Sequence, residues 1–308
     1  MNRLLPAGRR VRLAALALLV LAVVAIGARQ RYLASYVFET RSFIIAMKRG
    51  GHAPDVSWWS IVRRLGPRWT QQRDPLFVKA AGTGEAPCPV VWQTALGAFW
   101  GGENDGRVLD HLVVEELGGR IYDRAPASIE PGDVVIDVGA HLGTFTRYAL
   151  RRGAARVIAV EPMPALAACL RRTFAEEIQA GTVLVAEAAA WDADASLEFR
   201  IGAQSTTGRA RAATDRPTDT TIRVRAVRLD SLMRELGQDR VDFIKMDIEG
   251  AEPRALAGAG RTIAAFTPRM AICVYHGRDD ETLVPAAVAS SHAGYAVFFR
   301  GPFQAYFH

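Results

Sequence analysis

From Ile121 onwards the chain alternates between two kinds of segment. Short apolar runs rich in β-branched residues, "DVVIDVG", "ARVIAVE", "TVLVAEAAAW", "VDFIKMDIE", "RMAICVYH" and "YAVFFR", are separated by helical-period stretches. The latter are "GTFTRYALRRG", "MPALAACLRRTFAEEI", "EPRALAGAGRTIAAF" and "DETLVPAAVASSHAG". Strands apolar on both faces and joined through helices predict a mainly parallel, doubly wound α/β sheet. "SLEFRIG" and "TIRVRAV" flank a polar stretch, residues 203–221, that reads as a surface loop. The terminal "YAVFFR-GPF-QAYFH" reads as a β-hairpin turning at Gly301-Pro302-Phe303. An antiparallel hairpin closing a parallel sheet fits a plain dinucleotide-binding domain less well than another nucleoside-binding architecture.

Ahead of this domain, 121–308, the pattern is of another kind. Residues 13–28, "LAALALLVLAVVAIGA", carry no charge and are bracketed by arginines. Sixteen residues span about 24 Å as a helix, short of a hydrocarbon core unless the arginines snorkel. Arg29 and Arg31, directly after the run, count against a cleaved signal peptide, so the expectation is an uncleaved anchor behind a basic tail, 1–12. Residues 29–120 read as a mainly helical appendage. Within it "SYVFETRSFIIAMKR", "SWWSIVRRLGPRW" and "RVLDHLVVEEL" look helical and "GTGEAPCP" looks like loop.

Charge changes the picture only at the N-terminus. Six arginines precede residue 32 with no acid among them, and the remaining 32 basic residues match the 32 acidic ones. The basic balance therefore describes the tail and implies no nucleic-acid partner. Cys88, Cys169 and Cys273 are far apart and odd in number, which argues against a disulfide framework or a CxxC metal site. Cys169 and Cys273 are expected as buried thiols, and the site as one that works in a reducing compartment.

Candidate chemistry gathers at the carboxyl ends of the predicted strands, where α/β sheets bind ligands. Asp137-x-Gly139-x-x-x-Gly143 ends the first strand; Gly139 lets backbone approach a ligand, and Gly143 opens a helix with outward N–H groups. A dinucleotide fingerprint has glycine where Asp137 stands, and a carboxylate there suits a cationic ligand such as S-adenosylmethionine better than a pyrophosphate. Glu161, ending the second strand, can take the hydroxyls of an adenosine ribose. Lys245, Asp247 and Glu249 alternate at the end of "VDFIKMDIE", where they share one face if the strand stays regular. The rival reading pairs Lys245 with Asp247 or Glu249. His276 closes the next strand as a candidate base. Asp279 and Asp280 read as helix-start acids and Asp230 as a strand-to-helix cap. A metal held by Asp247, His276 and an aspartate has no tight ligand spacing behind it, and none is assigned.

Together "GDVVIDVGAHLGTFT", "VIAVEPMP", "VRLDSL" and "VDFIKMDIEGAEPRALAGA", with "VYHGRDD" in support, resemble the FkbM-type family of S-adenosylmethionine-dependent methyltransferases. The resemblance implies a class I methyltransferase (Rossmann-like) fold, a seven-stranded sheet with an antiparallel terminal strand. It also implies O-methylation of sugar, glycan or natural-product hydroxyls. Asp137, Gly139 and Gly143 would line the methionine part of the cofactor, Glu161 its ribose, and Asp247 the sulfonium and acceptor. His141 stands where the family usually has asparagine, and its ring still offers a hydrogen bond. The expected catalytic residues are His276, Asp247 and Glu249. The acceptor is expected to be a small molecule or a glycan, lipid-linked if residues 13–28 hold the chain at a membrane. A cytosolic cofactor would then place the domain on the cytoplasmic side. Two other readings stand beside this one: a membrane-tethered binding protein without catalysis, and an NAD(P)-dependent oxidoreductase. The sequence sets no oligomeric state.

Overall fold

The computed structural model describes residues 78–201, 220–300 and 304–308. The membrane anchor expected at residues 13–28 lies outside them, as do most of the 203–221 loop and the 301–303 turn. Among the described residues no helix is long and apolar enough to cross a membrane.

The described part of the appendage corrects one expectation. Residues 79–101 are not helical; they form an antiparallel meander of β1 (Lys79–Thr83), β2 (Val90–Thr94) and β3 (Gly97–Gly101). The reason is local. "VVWQT" and "AFWG" are β-branched and aromatic, and between them Thr94 organises a tight turn. Its hydroxyl accepts the Leu96 N–H and donates to the Gly97 carbonyl, while Gly97 takes φ +122°. The expected helix near Arg107 is present as α1 (Gly106–Val114), continued by a π-helical turn, Glu115–Gly119.

The main sheet has seven strands. In chain order they are β4 (Val134–Val138), β5 (Arg156–Val160), β6 (Val183–Ala186), β10 (Phe243–Met246), β11 (Arg269–Cys273), β12 (Val297–Arg300) and β13 (Gln304–Phe307). Their spatial order is β12-β13-β11-β10-β4-β5-β6. Five are parallel, and β13 runs antiparallel between β11 and β12, which confirms the terminal hairpin. Strand order reverses beside β4, so the carboxyl ends of β4, β5 and β10 border the switch point. A smaller sheet, β7-β9-β8, joins β7 (Ala189–Ala190) to the ribbon of β8 (Ala195–Ile201) and β9 (Thr220–Val227).

Helices cover both faces: α2 (Thr144–Arg151), α3 (Pro164–Thr173), α4 (Ala175–Gln179), α5 (Leu229–Glu235), α6 (Glu252–Ala257), α7 (Gly260–Phe266) and α8 (Asp280–Ser291). The period-2 alternation of each strand divides the core. Val135, Val157 and Phe243 pack on one face with Phe145 and Leu170; Ile136, Ile158 and Ile244 pack on the other with Leu256 and Ile263. Met163 is the N-cap of α3 and Pro164 its first residue, where a missing N–H costs nothing. Asp230 caps a neighbouring helix rather than its own. Its carboxylate accepts from the Thr262 amide (2.8 Å), the Thr262 hydroxyl (2.9 Å) and the Arg261 amide (3.2 Å), at the start of α7. Burial raises its pKa, but those donors outweigh burial and hold it below the usual carboxylate value.

Cysteine usage also differs from expectation. Cys88 and Cys169 form a disulfide, with Cα atoms 5.6 Å apart, and Cys273 is a buried free thiol as expected. The meander packs on α3: the Trp100 N–H donates to Thr173 Oγ1 (2.9 Å), and the Arg172 guanidinium lies 3.7 Å from the centre of the Trp100 ring. This packing brings together two cysteines 81 positions apart, which sequence spacing does not show. The inference to a reducing compartment thereby loses its premise.

Candidate active site

The first strand ends on a buried ion pair. Asp137 and Lys245 are register partners on β4 and β10, and their side chains meet at 3.1 Å with almost no exposure. Asp137 also accepts from Thr146 Oγ1 (2.7 Å), and Lys245 donates to the Gly139 carbonyl (2.7 Å). Burial opposes the charge on Lys245, but the carboxylates of Asp137 and Asp247 outweigh it and raise its pKa. Lys245 thus pairs with Asp137, not with Asp247 or Glu249. Asp137 lies beneath the turn rather than on its surface.

The two glycines answer to packing. Gly139 (φ +80°) sits where a Cβ would stand 2.0 Å from the Asp247 carbonyl, and Gly143 (φ +87°) where one would stand 2.4 Å from the Phe174 ring. The first lets β4 and β10 turn side by side, and the second lets α2 open against α3. Between them His141 takes φ +51°, and its N–H donates to Glu161 Oε2 (2.9 Å). Both His141 ring nitrogens are buried without a hydrogen-bond partner, and burial lowers the ring's pKa. The other Glu161 oxygen accepts the Met163 N–H (2.9 Å). Burial raises the Glu161 pKa to about 7, more than those two amides can offset. Beside this turn a small open cavity of about 30 Å³ is lined chiefly by apolar groups, among them Val138, Gly139, Val160, Trp191, Phe199 and Ile248.

A second cluster lies at the ends of β10 and β11. The sheet stops at Met246, so the expected alternation of Lys245, Asp247 and Glu249 on one face breaks. Lys245 points into the core, while Glu249, at φ +60°, turns the chain away. Asp247 is half-buried, and its Oδ2 accepts from the Tyr122 hydroxyl (2.7 Å). Its Oδ1 lies 3.4 Å from His276 Nε2, and Glu249 Oε2 lies 3.9 Å from the same nitrogen. On the opposite edge of the ring Nδ1 is 3.0 Å from Glu252 Oε1, which also accepts the Ile248 N–H (2.8 Å). A carboxylate only accepts, so Nδ1 carries a proton, and Nε2 is the nitrogen that faces Asp247 and Glu249. Burial lowers the His276 pKa, but Glu252, Asp247 and Glu249 outweigh it, and the net shift is upward. Asp280 accepts the Gly277 N–H and begins α8, with Asp279 at its N-cap, as expected of helix-start acids.

Residues 137–296, just over half of the chain, match the methyltransferase FkbM domain. The chain belongs to the FkbM methyltransferase family. It is similar to the AMB antimetabolite synthetase AmbE of Pseudomonas aeruginosa, 28% identical over 209 residues. That alignment covers 57% of this chain and 10% of the synthetase, so the chain spans about a tenth of its relative's length. Among solved structures it is similar to a methyltransferase FkbM from Methylobacillus flagellatus (19% identity, TM-score 0.44, covering 67% of this chain and 55% of that one). It is also similar to Aeropyrum pernix fibrillarin bound to S-adenosyl-L-methionine (13% identity, TM-score 0.36, covering 75% of this chain and 97% of that one).

The FkbM domain has the class I methyltransferase fold, with the reversed strand β13 inserted beside β11. It brings the expected site residues into two groups: His141 bonded to Glu161 beyond the ends of β4 and β5, and Asp247, Glu249 and His276 at the ends of β10 and β11. Asp137, Gly139 and Gly143 support the turn from below. Sequence reading missed two contributors. Tyr122 precedes the matched domain, and nothing in its neighbourhood marks it. Glu252, the first residue of α6, is the fully buried partner of His276. The last acid of "DIEGAE", three residues after Glu249, was the signal available.

Proposed function

We propose that this protein transfers a methyl group from S-adenosylmethionine to a hydroxyl oxygen of a sugar, glycan or natural-product acceptor. The observation that carries this reading is the half-exposed Asp247 carboxylate, fixed by Tyr122 and facing His276 at the strand ends of an FkbM domain. The residues present fit the cofactor: both Glu161 oxygens accept one backbone amide each and keep lone pairs for hydroxyl donors, His141 has two ring nitrogens without partners, and a small apolar cavity lined by Val160 and Pro162 lies next to Glu161 in the chain. Glu161 would accept the ribose hydroxyls on the lone pairs its two amides leave open, and His141 would meet the methionine end. When bound, the cofactor supplies an electrophilic methyl group on a sulfonium.

The protein's own contribution is placement and proton transfer. The Asp137–Lys245 pair stiffens the turn under the cofactor. Asp247 orients the acceptor hydroxyl, and Asp247 or His276 Nε2 takes its proton as the oxygen–carbon bond forms. Glu249, at the mouth of the same cluster, would hold the acceptor. A lipid-linked acceptor follows if residues 13–28 anchor the chain at a membrane, with the domain on the cytoplasmic side.

The test is incubation of the full chain with methyl-labelled S-adenosylmethionine and a panel of hydroxyl-bearing sugars, glycans and polyketides. Label recovered as an O-methyl ether, and lost in Asp247→Asn, is the expected outcome. Label on nitrogen or carbon, or none from protein that binds S-adenosylhomocysteine, would reject the O-methyltransferase reading.

A further inference from the structure

Helix α1 carries an acid where its pattern calls for an apolar side chain. Leu109 and Val113 face inward and are fully buried, and the next position on that stripe is Glu116. There α1 passes into the π-helical turn Glu115–Gly119, which packs against α2, the helix that opens from the Gly139–Gly143 turn. Such π-helical turns occur frequently at functional sites. Glu116 is 3% exposed; its Oε2 is sealed from solvent without a hydrogen-bond partner, and no ion pair reaches the side chain among the described residues. A carboxyl buried in this way is costly unless a ligand meets it. Six residues on, Tyr122 donates to Asp247, and its ring centre lies 5.3 Å from Lys245 Nζ, so the segment already reaches the ends of β4 and β10.

We propose that Glu116 receives the α-ammonium group of the cofactor's methionine part, an assignment that rests on the S-adenosylmethionine reading above. Asp137, the acid that the sequence offers for that end, is fully buried and already holds Lys245 and Thr146. Asp247 Oδ2 holds Tyr122. Glu116 is the acid near these strand ends whose carboxyl has no partner of its own. The two unpartnered ring nitrogens of His141 lie within electrostatic reach of Lys245 and Asp247, as Glu116 does. An ammonium for Glu116 and an α-carboxylate for a donating His141 nitrogen would satisfy both orphans with one amino-acid group. Electrostatics agree with the geometry. Burial pushes the Glu116 carboxyl well above the usual carboxylate range; Lys245 opposes this, and Asp137, Glu115 and Asp247 add to it. The empty site thus favours the neutral acid, an arriving ammonium favours the carboxylate, and the proton leaves to solvent. Glu116 precedes the matched domain, 137–296, so cofactor selection draws on the chain ahead of it.

The experiment is calorimetric titration of the full chain with S-adenosylhomocysteine and with its deamino analogue, in which hydrogen replaces the ammonium group. The parent should prefer S-adenosylhomocysteine by about 10- to 100-fold, the share of one charge-assisted hydrogen bond. Glu116→Gln should lose most of that preference while binding the deamino analogue as the parent does. Glu116→Leu continues the Leu109–Val113 stripe, so it keeps the test valid if the amide does not fold; it should lose the preference altogether. A parent that binds the two ligands equally overturns the assignment and leaves the methyltransferase reading standing. So do folded variants that keep the parent's preference, or that lose affinity for both ligands alike. Folded parent that binds neither ligand removes the methyltransferase reading and this assignment with it.

Discussion

Lys245 and Asp137 show how one pair can join stability to function. Each is buried because the other is, and breaking such a pair from one side costs about 3–5 kcal/mol, since the remaining charge has no solvent to return to. Lys245→Met should therefore lower the unfolding free energy measured in urea by an amount on that scale, and the midpoint with it, leaving Asp137 with Thr146 for a partner. An unchanged midpoint would show that the pair contributes nothing. Glu161 makes the second residue-scale case. With its pKa raised to about 7, the folded state binds a proton that the unfolded state releases near 4.5. Its contribution to stability is therefore fully present below about pH 4.5 and is lost as pH rises through about 7. A cofactor whose ribose hydroxyls donate to the ionised carboxylate should bind more tightly over that same rise. Affinity for S-adenosylhomocysteine, measured from pH 6 to 8, should climb in the parent and stay flat in Glu161→Gln; parallel profiles would remove Glu161 from the ribose site. These roles were unevenly legible. Asp137, Lys245 and Glu161 stand out in sequence because charges are rare at strand ends. The pairing of Asp137 with Lys245 depends on the register of strands more than 100 residues apart, which the sequence does not carry.

At the level of elements, the meander β1–β3 and helix α3 form a joint built from Trp100, Arg172, Thr173 and the Cys88–Cys169 disulfide. That crosslink closes a long loop, and a disulfide of this span stabilises by about 2–4 kcal/mol, mostly through the unfolded chain. Unfolding in urea with and without a thiol reductant, and in Cys88→Ser, should show a loss of that order. Identical curves would mean that the bond does not form in solution. The parallel strands were readable because each is a short apolar run bounded by polar turn residues, and the terminal hairpin because Gly-Pro interrupts two aromatic strands. The meander was not, since "KAAGT" is weakly patterned and its partners share sequence with residues that read as appendage. The capping role of Asp230 was half legible: an acid at a helix start was correct, but the helix it serves begins thirty residues later.

For the whole molecule, the distribution of charge follows the distribution of function. Overall the chain is basic, yet beyond the N-terminal tail its charges balance. The strand ends gather Asp137, Glu161, Asp247, Glu249 and Glu252 around a single lysine and His276. A neighbourhood this anionic is suited to a cationic ligand, and a sulfonium cofactor meets that condition where a dinucleotide pyrophosphate does not. The fold alone would permit either. The decisive measurement is calorimetric titration of the full chain with S-adenosylhomocysteine, and with NAD in parallel. Saturable binding of S-adenosylhomocysteine at one site per chain, with no heat from NAD, is the predicted result. Binding of NAD instead, or of neither ligand by demonstrably folded protein, would contradict the assignment of these strand ends to methyl transfer.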